Sequence, residues 1–191
     1  MYKVLAICGE AGSGKDTILQ KLLKIKPDFK EIISCTTRPM RQNELNGVNY
    51  YYLSETEFKE KISSNEMLEY TVFNNWYYGT SLTQLDENKV NVGVFNPAGI
   101  SELIDNPNID LKIVRVMADK KTRLLRQLHR EKNPNVDEIV RRYGTDKNDF
   151  AMFGILSPHY LSLWNETQDD LYLASARIID YCGSWAKVVN Q

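Results

Sequence analysis

The stretch "KVLAICGEAGSGKDT", residues 3–17, restricts this chain more than any other segment. An unbroken apolar run that stops at glycine reads as a strand buried on both faces. After the glycines, "DTILQKLLKI" places Ile18, Leu22 and Ile25 at helical spacing, with Leu23 beside them, and Pro27 ends the run. Strand, glycine loop and helix together let backbone N–H groups converge on phosphate oxygens at the positive end of the helix. The candidate phosphate-binding set is therefore Gly9, Ala11, Gly12, Ser13, Gly14, Lys15, Asp16 and Thr17, with Lys15 positioned to reach the β and γ phosphates of a triphosphate. One position departs from the motif. A Ser or Thr hydroxyl normally follows the lysine and holds magnesium; here Asp16 follows it and Thr17 comes one residue late. A carboxylate is a hard oxygen ligand, so Asp16 is the candidate magnesium ligand. The plain structural alternative is a tight strand-to-helix turn with an exposed lysine.

The remaining chain alternates strand-like and helix-like segments. "EIISCTT" reads as a second strand, "VNYYYLS" as β-prone, and "SETEFKEKIS" as a helix opened by a Ser54-x-x-Glu57 capping pattern. "MLEYTVFNNWYYGTS" holds strand-like runs broken at Asn74-Asn75. "KVNVGVFNPAGISELI" is a buried strand leading into a helix, and "LKIVRVMA" another buried strand. Two charged helical stretches flank "KNPN"; "YLSLWN" and "TQDDLYLASARIIDYCGSW" close the chain as strand and helix. Such alternation implies an α/β fold with a mainly parallel sheet. A length of 191 residues with 42% hydrophobic content suits one domain with a sizeable core. The 24 basic and 25 acidic residues nearly cancel, so there is no global field to attract nucleic acid or an anionic membrane, and any anion site is local. The cysteines, Cys8, Cys35 and Cys182, have no metal-ligand spacing and read as free thiols of a reducing compartment. No apolar stretch approaches the ~20 residues of a membrane span, and no signal-peptide pattern opens the chain. The expectation is a soluble cytoplasmic protein, monomeric or homodimeric, without nucleic-acid or membrane partners.

"SCTTRPMR" sets Arg38 and Arg41 three residues apart in a polar segment. Arginine pairs clamp phosphate, although an isolated pair is commonly a solvated surface feature. The continuation decides between these. "RQNELNGVNYYYLSETEF" and "EMLEYTVFNNWYYGTS" resemble the guanylate kinase family, whose pattern runs S-x-T-T-R-x-x-R-x-x-E-x-x-G-x-x-Y and later F-L-E and Y-Y-G-T/S. This chain carries Ser34, Thr36, Thr37, Arg38, Arg41, Glu44, Gly47, Tyr50, Glu69, Tyr78, Gly79 and Thr80 at those places. The resemblance implies a P-loop kinase fold: a core of about 1–33, 84–124 and 144–191, an inserted mixed-β region of about 34–83 that binds a nucleoside monophosphate, and a helical lid of about 125–143, all in one domain. It implies phosphoryl transfer from ATP to GMP or dGMP with Mg2+. Arg38, Arg41, Tyr50 and Tyr78 would clamp the acceptor phosphate, and Ser34, Glu69, Thr80 and Asn96 would meet the base. An acceptor-only carboxylate at Glu69 suits the N1–H and N2–H donors of guanine. Lys15, Arg126, Arg130 and Arg142 would neutralise charge on the transferring group, with Arg141 the adjacent competitor for the last role.

The chain also departs from the family. Its members typically carry L-D-I-D-x-x-G at the end of a central strand; here the stretch is "GVFNPAG", with Val94 and Asn96 at the two acidic positions. An acid gained at Asp16 and one lost at Val94 suggest that Asp16 takes over part of the magnesium shell. Asn96 leaves a broader (deoxy)nucleoside monophosphate kinase as an alternative. A non-catalytic binding module of the same fold is a second rival, against which stand Lys15, Arg38, Arg41 and the lid arginines.

Overall fold

The computed structural model describes residues 1–41, 44–73, 75–130, 132–151, 153 and 159–186. Five parallel strands form the main sheet in the order β2-β7-β1-β8-β9: β1 Tyr2–Cys8, β2 Phe29–Glu31, β7 Val90–Val94, β8 Ile109–Met117 and β9 Leu161–Trp164. The central strand β1 is apolar from Val4 to Cys8 because both of its faces are covered there. Leu5 and Ile7 pack with Ile18 and Leu22 of α1 (Lys15–Ile25) and Ile178 of the final helix α6 (Gln168–Ala186). Val4, Ala6 and Cys8 face the opposite way, onto Ile100 and Leu103 of α3 (Pro97–Ile104) and onto Phe153. Two core layers therefore meet at one strand, and the glycine loop leaves from its carboxyl end, where ligands of open parallel sheets sit.

The second sheet is smaller and mixed, in the order β4-β3-β6-β5: β3 Cys35–Thr36, β4 Tyr51–Tyr52, β5 Met67–Phe73 and β6 Trp76–Ser81. The single strand expected over "EIISCTT" is in fact two. Phe29–Glu31 pairs with β7 in the main sheet, whereas Cys35–Thr36 pairs with β4 and β6 in the small one. The apolar pattern was continuous because both short strands bury side chains, but the backbone changes partners across 32–34. Between β4 and β5, α2 (Glu55–Ser63) starts with the reciprocal Ser54–Glu57 capping box expected from the sequence. After β8 come α4 (Lys120–His129) and α5 (Val136–Asp149), two separate helices on either side of "KNPN". Asp119 and Asn135 cap them through side-chain oxygens. Among the described residues no helix is long and apolar enough to cross a membrane.

Leu22 is fully buried between α1 and the sheet, so it links the helix that carries Lys15 to the core. Leu22→Ala is expected to cost about 2–5 kcal/mol of stability, read as a lowered midpoint in denaturant titration at unchanged slope.

Candidate active site

The glycine loop is built by fixing its carbonyls outward. Gly12 and Gly14 lie at positive φ, 81° and 89°. A side chain at either would also collide with the scaffold: a Cβ on Gly12 would lie 2.4 Å from the Arg123 carbonyl, and one on Gly14 2.2 Å from Asn165 Nδ2. Asn165, just after β9, donates to the Ser13 carbonyl at 2.8 Å. Arg126 Nη1 donates to the Gly12 and Ser13 carbonyls at 3.3 and 3.4 Å, and its Nη2 to the Glu166 carbonyl at 3.1 Å. Gln127 donates to the Ala11 carbonyl at 3.4 Å. Three successive carbonyls of the loop are thus held by side chains of α4 and of the residue after β9. No side chain caps α1, whose N-cap is Gly14, so its first N–H groups keep the positive end of the helix open to an anion.

A cavity of about 310 Å³ lies between this loop and the small sheet. Gly9, Ala11 and Lys15 line it from the loop; Ser34, Tyr50, Glu69 and Tyr78 line it from the small sheet and its approaches. Val94 and Asn96 at the end of β7 and Arg142 of α5 complete the contribution of the residues singled out in the sequence. Thr71, Phe73, Asp146, Asp149 and Phe150 share the lining and carry no motif that marks them in the sequence. Asn165 and Gln127 were equally silent. The one available signal was position: Asn165 ends a parallel strand on the same side as the glycine loop.

Several predicted residues take up other partners. Arg38, 6% exposed, gives both guanidinium bonds of one nitrogen to Glu44, at 2.8 and 2.9 Å, and a further one to the Pro39 carbonyl at 2.7 Å. Glu44 also accepts from the Tyr52 hydroxyl at 2.7 Å and from the Arg41 backbone at 2.9 Å. Arg41 keeps its side chain in solvent. Tyr50 packs edge-on against Tyr78, with ring centroids 6.1 Å apart. Glu138 takes Arg141 through Nε and Nη2 and Arg142 through Nε alone, and the two arginines hold its carboxyl down at about 2. Arg142 lines the cavity, whereas Arg141 lies over the Phe73 ring. Arg126 sits on the loop's outer carbonyls, and Arg130 is exposed at the end of α4. Asp16 has 77% of its side chain in solvent, 3.6 Å from Lys15, and Thr17 is exposed. Neither is among the residues that line the cavity.

Asn96 has a polarity that its sequence context hides. It is the N-cap of α3, and its Oδ1 accepts the Gly99 N–H at 2.7 Å. A backbone N–H can bond only the oxygen, so the amide orientation is fixed, and the NH2 group turns to Thr71 at 3.4 Å. The acceptor expected of Asn96 is consumed by the helix, and a donor faces the cavity instead.

Among the described residues Glu69 is the one buried acid, 7% exposed, on β5 opposite Thr80. Its Oε2 lies against the start of α3, where only a glycine at position 99 leaves room. Burial pushes its carboxyl up to about 7. Beside it in the ladder Thr80 Oγ1 is buried without a hydrogen-bond partner among the described residues, as is Ser13 Oγ in the loop.

A glycine loop at the carboxyl end of a central parallel strand thus faces, across one cleft, a small sheet that carries a buried acid. A family model described as guanylate kinase matches residues 1–150, and the chain belongs to the guanylate kinase family. The guanylate kinase of Mesomycoplasma hyopneumoniae (strain 7448) is 40% identical over 111 residues, 56% of either chain. That of Chlamydia caviae is 40% identical over 86 residues, 44% of this chain and 42% of its own. The chain thus spans about half the length of the curated relatives it matches. The crystal structure of guanylate kinase from Anaplasma phagocytophilum superposes with a TM-score of 0.68 over 98% of this chain and 88% of that one, at 16% identity, a likeness of fold.

Because the folded Glu69 carboxyl is raised to about 7 from an ordinary 4.5, the native state binds the extra proton between those values. Its contribution to stability is full below pH 4.5 and is lost as pH rises through 7. Relative to the parent, Glu69→Gln should therefore gain stability with rising pH across that window, by up to about 1.4 kcal/mol per unit. Paired thermal melts from pH 4.5 to 8 check this.

Proposed function

We propose that the chain transfers the γ-phosphoryl group of magnesium-bound ATP to GMP or dGMP. The observation that carries this is Glu69, buried and yet lining the same cavity as Lys15 and the glycine loop. In this reading the loop N–H groups and Lys15 hold the ATP phosphates, and Glu69, ionised on binding, accepts the N1–H and N2–H of guanine. Adenine offers an acceptor at N1 and would leave a buried carboxylate unpaired. Ser34 and Thr80 complete the base contacts; Arg41, Tyr50 and Tyr78 hold the acceptor phosphate. Arg38, already paired with Glu44, orients the clamp rather than supplying a free charge. Arg142, with only Nε engaged, brings positive charge to the transferring group, and Arg130 joins it from α4 when the helices close. Arg126 acts through the loop that it fastens.

Magnesium enters with the nucleotide. Among the described residues no group of three or more His, Cys, Asp or Glu side chains could hold a metal ion. That suits an ion carried mainly by phosphates and water with at most one or two carboxylates. Asp16, exposed at the mouth of the loop, is the carboxylate nearest Lys15 in sequence and can contact the ion through water. No general base is required, because the acceptor phosphate is already an anion; the protein aligns two phosphates, screens their charge and excludes water.

The test is an ADP-release assay with ATP and magnesium, offering GMP, dGMP, AMP, dTMP and dCMP separately. Turnover with the guanine nucleotides and a drop of at least ~100-fold in kcat for Lys15→Ala are the expected results. Absence of turnover with every acceptor would favour a binding module. A second reading, a kinase of broader base specificity, is favoured by Asn96, whose exposed donor cannot accept the guanine 2-amino group. Asn96→Asp keeps the helix cap and replaces that donor with an acceptor. It should raise the preference for GMP over IMP, as a ratio of kcat/KM, by about tenfold.

A further inference from the structure

The inner side of the glycine loop is occupied by an acid from another element. Asp146, on α5, accepts the Ala11 N–H through Oδ2 at 2.6 Å. That is short even for a charge-assisted bond to an amide, and it spans 135 residues of sequence. The loop's carbonyls at Ala11, Gly12 and Ser13 are bonded from the opposite side, by Gln127, Arg126 and Asn165. Ala11 and Asp146 both line the cavity, so the carboxylate meets the loop on its cavity side. Lys15 is balanced in the same way, by Asp16 at 3.6 Å. Both positive features of the loop are met by the chain's own acids.

We propose that Asp146 is an internal substitute for a nucleotide phosphate, which occupies the loop in the free protein and which the incoming nucleotide must displace. The proposal rests on the reading of the loop as the ATP-phosphate site. One N–H cannot serve a carboxylate and a phosphate oxygen at once, and the two anions repel. Docking of Asp146 and binding of nucleotide are therefore mutually exclusive, and each weakens the other by the same factor. Asp146 is a positioning residue: docked, it draws α5 and Arg142 onto the loop; displaced, it frees the loop for phosphate.

Asp149 separates occupancy from charge. It lines the same cavity three residues along α5, but it makes no hydrogen bond to the loop. Removing its charge relieves repulsion without vacating an N–H. The experiment is calorimetric titration of the full chain with ADP and, separately, with inorganic pyrophosphate, for the parent, Asp146→Asn, Asp146→Ala and Asp149→Asn. Amide exchange at Ala11 is followed in parallel. Asp146→Ala, which vacates the N–H, should bind both ligands at least tenfold tighter, with faster Ala11 exchange in the free protein; Asp146→Asn, which loses the charge but keeps an oxygen for that N–H, should fall between the parent and the alanine variant; Asp149→Asn should change affinity less than threefold and leave Ala11 exchange unaltered. Unchanged or weaker binding by the Asp146 variants overturns the proposal, and so do equal gains at both positions, which would reduce the effect to charge. Failure of parent and variants alike to bind either ligand at millimolar concentration removes the phosphate-loop reading, and the proposal with it. Binding by the parent without gain at Asp146 removes the proposal alone.

Discussion

The geometry of the cleft depends on a set of hydrogen bonds made by carbonyls, not by the N–H groups for which glycine loops are known. Ser13, Gly12 and Ala11 are tethered by Asn165, Arg126 and Gln127, which come from the end of β9 and from α4. A buried backbone carbonyl left unbonded is costly, so these tethers hold the loop in one form. The loop is therefore shaped by strand and helix residues more than a hundred positions away. This explains why the loop tolerates Asp16 in place of a hydroxyl residue. Its form is imposed from outside, and the side chain after Lys15 points into solvent.

Electrostatic balance follows the same economy. The chain is close to neutral overall, and the cleft is balanced locally too: Arg38 by Glu44, Lys15 by Asp16, Arg141 and Arg142 by Glu138, and the loop by Asp146. Glu69 is the exception, buried without an ion-pair partner among the described residues and raised for that reason. Arg38, Lys15, Arg141 and Arg142 thus each have an internal counter-charge around the cleft.

The sequence made the local features legible. β1, the glycine turn, α1 and the Ser54 cap are written in consecutive residues, so periodicity and turn chemistry suffice to find them. The clamp segment was legible through a resemblance that spans one continuous region. What could not be read were relations between distant segments. Nothing near Asp146 marks it as a partner of Ala11, and nothing near Asn165 marks it as the support of Ser13. Asn96 was found but its polarity was not, because an asparagine presents an acceptor or a donor according to which backbone group it caps. The strand over "EIISCTT" was misjudged for a related reason: burial pattern reports that a residue is covered, not which sheet covers it.

That division between sheets has an energetic meaning. The main sheet is covered by two apolar layers from α1, α3 and α6, whereas the small sheet has Phe58 packed on Tyr77 and meets the main core at Leu68. Cooperative units with fewer buried apolar contacts open at lower free energy than the whole molecule. The cleft is thus shared by a firm half, which carries the loop, and a softer half, which carries Glu69. A ligand seated against the small sheet stabilises mainly the soft half, by mass action. In such an arrangement the soft half would be completed by its own occupant, while the firm half keeps its form without one.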